Sequence, residues 1–131
     1  FDMEIRNAVN CFEIPVTDFM RAKKLYETIF DYQMAQSQVG PALMGFFLYE
    51  FQNGKVGGAI VERPGFHSPS QSGSLVYLNC QPNLQIVLDR VIPAGGSIIT
   101  PKTIISPAEK LGFWALILDS EGNRVALHSM N

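Results

Sequence analysis

The chain has 131 residues, a formal net charge of −2 and 47% hydrophobic residues. That length suits one domain with one core, and that apolar content excludes a disordered chain. The near-neutral charge excludes a nucleic-acid surface, which needs a basic stripe, and no apolar run approaches the ~20 residues of a membrane span.

The first residues, "FDMEIRN", have neither the basic start nor the apolar stretch of a secretion signal. Two cysteines, Cys11 and Cys80, are too few for a disulfide scaffold. The expectation is a soluble cytoplasmic protein that binds neither nucleic acid nor membrane.

The first strand is read over "AVNCFEIPV". Strand side chains alternate between faces, so Phe12, Ile14 and Val16 share one side while Cys11 and Glu13 share the other. Phe12, Ile14 and Val16 are the larger apolar set and belong under a helix. Burying an unpaired carboxylate there would cost several kcal/mol, on the order of the penalty for buried charge. Glu13 is therefore expected on the open face.

A helix follows over "TDFMRAKKLYETIF", capped by Thr17 or Asp18. Ala22, Leu25, Tyr26, Ile29 and Phe30 form its apolar stripe, and Arg21, Lys23 and Lys24 fall on its solvated side. Strand candidates come next: "DYQMAQ", "LMGFFLYEF" and "KVGGAIVE", with Asn53-Gly54 as a hairpin signal. The segment "RPGFHSPSQSGS" reads as a linker. Its His67 reads as a solvated loop histidine, with a lid over a cleft as the alternative.

The second half repeats the order. "SLVYLNC" is a strand, and "NLQIVLDRVIPAGG" is a helix with the stripe Leu84, Val87, Leu88 and Val91 and an Asn83 cap. "SIITPK", "GFWALILD" and "RVALHSM" are strands, with "DSEGN" as the turn before the last. The pattern is βαβββ twice. Modules fall at about 6–62 and 74–130 with a linker at 63–73, in a single domain spanning 1–131. Each module covers one sheet face with its helix, and two open faces can close a cleft.

Parity then proposes the lining of that cleft. Arg124, Ala126 and His128 are expected on the open side of the last strand, opposite Val125 and Leu127. Matching the two hairpins places Gly58, Ile60 and Glu62 there, and the spacing of the two helices adds Val76, Leu78 and Cys80.

"FEIPVTDFMRAKKLYETIFDYQM", "GKVGGAIVERPG" and "FWALILDSEGNRVALHS" resemble the vicinal oxygen chelate superfamily, the glyoxalase, bleomycin-resistance and extradiol-dioxygenase group. The resemblance covers nearly the whole chain. It implies an α+β fold in which two tandem βαβββ modules form a curved eight-stranded mixed sheet around a cleft, with the helices on the outside. It also implies a homodimer, with modules paired within one chain or across two.

In metal-dependent members, His, Glu or Gln ligands occupy one position in the first and last strand of each module. Here those positions carry Cys11, Gly58 or Ile60, Val76 and Ala126. Three of the four offer no donor atom, whereas a divalent site needs three or more in set geometry. The expectation is a small-molecule-binding protein without that metal or any other cofactor. Cys11, Ile60, Glu62, Val76, Leu78, Arg124 and Ala126 would line the ligand site. The alternative is a glyoxalase-like lyase or isomerase. It would use Glu13 and His128 as an acid–base pair, directly or with a divalent metal at an atypical site on Cys11, Glu13, Glu62 and His128. A third reading is a partner-binding module with an empty cleft.

Overall fold

In a computed structural model, residues 7–50, 52 and 54–131 are described. The first module runs β1 (Cys11–Pro15), α1 (Phe19–Phe30), β2 (Ala35–Val39), β3 (Ala42–Phe46) and β4 (Gly57–Glu62). The second runs β5 (Tyr77–Asn79), α2 (Leu84–Leu88), β6 (Ser97–Ile104), β7 (Phe113–Leu118) and β8 (Arg124–Ser129). The α+β class and the doubled βαβββ order are those expected. The hairpin signal at Asn53 lies outside the described residues.

Asp18 starts α1 by accepting a hydrogen bond from Arg21 N, and Asp31 ends it in the left-handed conformation at φ 55°. The stripe Ala22, Leu25, Tyr26 and Ile29 is fully buried, joined by Phe19. Asn83 caps α2 by accepting from Gln85 N. That helix is only five residues long, and turns carry Val91 into the core beyond its end.

The eight strands are hydrogen-bonded as two sheets of four, ordered β1-β4-β3-β2 and β5-β8-β7-β6. β1 pairs with β4, and β5 with β8, in parallel; the other pairs are antiparallel. Both helices and the inner faces of both sheets share one core, in which Ile14, Leu25, Tyr26, Ile60, Leu84, Val91, Ile117 and Leu127 are buried. The helices therefore meet each other between the modules, and the two open sheet faces turn away from that shared core.

Polar ties fasten the seam. The "DSEGN" turn of the second module reaches the β1–α1 junction of the first. Glu121 accepts from Thr17 N at 3.0 Å, Asp18 N at 2.7 Å and Arg21 Nε at 2.7 Å. Asn123 Nδ2 donates to Pro15 O at 2.6 Å, and Tyr26 Oη donates to Asp119 Oδ2 at 2.7 Å.

Parity holds as expected in β1 and β8 and is reversed in β4 and β5. In a parallel pair, residues in register share a face. Ile14 lies beside Ile60 and Leu127 beside Leu78, so Ile60 and Leu78 belong to the core. Cys80 is buried there too. A side chain built on Gly58 would strike the Phe12 ring, which places Gly58 on the helix side as well. Glu62 also sits on that side, where its Oε1 accepts from Phe19 N at 3.0 Å at the start of α1.

The physical cause in β5 is a single residue. Ile14 and Val16 precede the Asp18 cap by four and two positions, while Leu78 and Cys80 precede Asn83 by five and three. A one-residue difference flips a whole strand, so Tyr77 and Asn79, not Leu78, occupy the open face. In β4, burial is continuous from Gly57 to Val61 and offers no alternation to read.

Candidate functional site

The open face of the first sheet carries Cys11 and Glu13 from β1, Ala59 and Val61 from β4, and Ala42, Met44 and Phe46 from β3. Ala59 and Val61 are buried beneath Met44 and Phe46, which stay partly exposed. A cavity of about 120 Å³ opens on this face, with Cys11, Glu13, Met44, Phe46, Tyr49 and Ala59 in its wall. Gly57 permits it, because a Cβ there would strike the Tyr49 ring.

The open face of the second sheet follows from the β7–β8 register: Trp114 beside His128, Leu116 beside Ala126 and Leu118 beside Arg124. Tyr77 joins them and leans toward Trp114, with ring centroids 6.5 Å apart. Trp114, Leu116 and Leu118 are partly exposed, and Ala126 is fully covered by these larger neighbours. Each open face is thus an apolar shelf with a few polar groups at its edge.

Glu13 has a partner that strand parity could not foresee. His67 Nε2 donates to Glu13 Oε1 at 2.7 Å, so the linker histidine is folded over the first strand and does not stand free in solvent. Arg124 shares a second cavity with Glu13 and Val76 on the seam between the modules. His128 Nε2 donates to Leu111 O at 2.7 Å, since a carbonyl can only accept. This bond fixes the ring and leaves Nδ1 without a proton when the imidazole is neutral.

The expected residues therefore fall into three groups. Glu13, Val76 and Arg124 share one cavity, and Cys11 lies beside Glu13 in the other. Ile60, Glu62 and Leu78 are on the helix faces, away from either shelf. Ala126 and His128 lie on the second shelf, in a different sheet from Glu13, and Glu13 and His128 have separate partners.

Burial pushes the Cys80 thiol up to about 12. For Glu121, burial works to raise the pKa. Hydrogen bonds from Arg21, Asp18, Ser120 and Thr17 outweigh it and hold the carboxyl below its ordinary range.

Among the described residues no three His, Cys, Asp or Glu side chains converge. With parity corrected, the inner-strand positions on the open faces include Gly57, Ala59 and Ala126, which carry no side-chain donor. The residues present do not fit the metal-dependent pattern.

No protein-family model matches the chain, and no curated protein does. Solved structures do match. Glyoxalase I from Zea mays superposes with a TM-score of 0.70 at 16% identity, over 92% of this chain and 45% of that one. The chain thus spans less than half of the maize enzyme. A glyoxylase/bleomycin resistance protein/dioxygenase domain from Frankia sp. EAN1pec superposes with a TM-score of 0.66 at 14% identity, over 94% of this chain and 97% of that one. The fosfomycin resistance protein FosX from Mesorhizobium loti superposes with a TM-score of 0.58 at 19% identity, over 96% and 93%. Among the described residues no helix is long and apolar enough to cross a membrane. The chain has the glyoxalase/bleomycin-resistance fold, that of the vicinal oxygen chelate proteins.

Proposed function

We propose that the protein binds a small, largely apolar molecule on the open face of its first sheet. The observation that carries this reading is the Met44–Phe46–Tyr49 cavity, with Cys11 and Glu13 at its edge. Mostly apolar walls with a few polar groups are the usual makeup of a ligand site. The likeness in fold to a bleomycin-resistance domain and a fosfomycin resistance protein supports a binding role.

The two shelves of a chain turn away from their shared core. The second wall comes from another copy of the chain, whose Trp114–Leu116–Leu118 shelf covers the first. Exposed apolar shelves of this kind mark interaction surfaces. The reading routes no step through a divalent ion, since Gly57, Ala59 and Ala126 offer no side-chain donor on the open faces.

A lyase or isomerase reading would need Glu13 and His128 on one substrate. The observation in its favour is that His128 is engaged through Nε2, with no bond to Nδ1 among the described residues. Glu13 and His128 lie in different sheets, and in this reading a pairing of copies brings them to one cleft.

The test is a thermal-shift screen of small aromatics and metabolites. A binder raises the melting temperature by linkage. The expected result is a saturable rise in the wild type that Phe46→Ala removes. A rise of equal size in Phe46→Ala would move the ligand off this face. Turnover of an identified ligand that Glu13→Gln abolishes without loss of binding would replace the binding reading with the enzymatic one.

A further inference from the structure

The seam cavity is distinct from the open shelf. It measures about 210 Å³ and is walled by Glu13, Arg124 and the linker serines Ser68, Ser70, Ser72 and Ser74. Only Glu13 also lines the cavity of the shelf.

Its two charges do not satisfy each other. Among the described residues, Arg124 Nε is buried without a hydrogen-bond partner, and Arg124 forms no ion pair with Glu13. Glu13 uses Oε1 for His67, and no bond to Oε2 is found among the described residues. Native proteins rarely leave a buried charged donor unpaired, because its lost hydration is not replaced.

The wall is held in place from behind. Asn123 spends its amide on Pro15 O and Asp119 Oδ2, and its Oδ1 accepts from Ser70 N at 3.1 Å. Arg124 N donates to Ser70 O at 3.4 Å. The serine run is thereby fixed against the start of β8, with the Ser70 and Ser72 hydroxyls 2.9 Å apart.

A guanidinium and hydroxyls on one part of a cavity suit a carboxylate, which matches the flat fork of Arg. A carboxylate elsewhere in the same wall suits a cationic donor and opposes a plain anion. We propose that the seam cavity binds a small zwitterion of the amino-acid type, its carboxylate on Arg124 and the serine hydroxyls and its ammonium on Glu13. The volume is below the ~300 Å³ at which drug-sized pockets begin, which suits a molecule of that size.

Titration calorimetry of the purified chain with glycine, serine and leucine tests this, with acetate, methylamine and inorganic phosphate as matched probes. The expected result is saturable binding of at least one amino acid, at least tenfold tighter than acetate or methylamine. Arg124→Met should weaken it at least tenfold. Glu13→Gln, at a half-exposed site that tolerates the change, should weaken the amino acid while leaving acetate unchanged. Phe46→Ala should leave it unaltered, which separates this cavity from the shelf. The proposal is overturned if no amino acid binds saturably, if phosphate or acetate binds as tightly, or if a folded Arg124→Met binds as well as the wild type.

Discussion

Glu13 is the residue on which the strand pattern spoke most clearly. A carboxylate between Phe12 and Ile14 must leave the core side, and it does; its partner His67 is distant in sequence, in a segment whose composition reads as a solvated loop. The signal that could have found the linker's role is the serine at every second position from Ser68 to Ser74. The two cysteines separate sharply at this scale: Cys11 is exposed and Cys80 is buried. Since burial holds the Cys80 thiol up at about 12, almost none of it is thiolate at neutral pH. A thiol-titration reagent at pH 8 should therefore modify one cysteine per chain, Cys11, and the second only after unfolding. Two fast equivalents would refute the packing around Cys80.

At the scale of elements, β1 and β8 were legible because large apolar residues alternate with charged or small ones. β4 was not, because every residue from Gly57 to Val61 is buried, under α1 on one face and under Met44 and Phe46 on the other. β5 was not, because its link to the helix is one residue longer than the link after β1. The corrected parity has a direct energetic consequence. Ile60→Ala empties a core site and should cost about 2–5 kcal/mol, while Met44→Ala on the partly exposed shelf should cost far less. Urea unfolding of the two variants checks this, and equal midpoints would restore the parity first expected for β4.

The "DSEGN" turn is a second element whose role the sequence concealed, since a turn motif does not say what it touches. Glu121 binds the N-terminus of α1 and Arg21, and its side chain has no exposed surface. Its folded pKa is depressed, so its stabilisation is present above the unfolded carboxylate pKa and is lost as pH falls through the folded value. Glu121→Gln should lower stability at pH 7 by about 1–3 kcal/mol, the range for lost charged hydrogen bonds, and should flatten the acid limb of the stability profile. An unchanged acid limb would remove Glu121 from the seam.

For the whole molecule, the duplicated order and the class of fold were readable from periodicity and from the resemblance. The meeting of the two helices in one core was not, because each helix shows the same apolar stripe whether it is covered by its own sheet alone or also by the other module. That shared core leaves the shelves facing outward, and on the proposed reading a second copy covers them. Leu116→Arg should then shift the solution mass from dimer to monomer in light scattering and weaken ligand binding together. Cys11 reports on the shelf itself, beside Glu13 and Phe46. The rate of Cys11 alkylation, followed by mass spectrometry with and without a saturating ligand from the thermal screen, is the most direct measurement. Binding on the first shelf predicts that the ligand slows the reaction at least tenfold; an unchanged rate at saturation would contradict it.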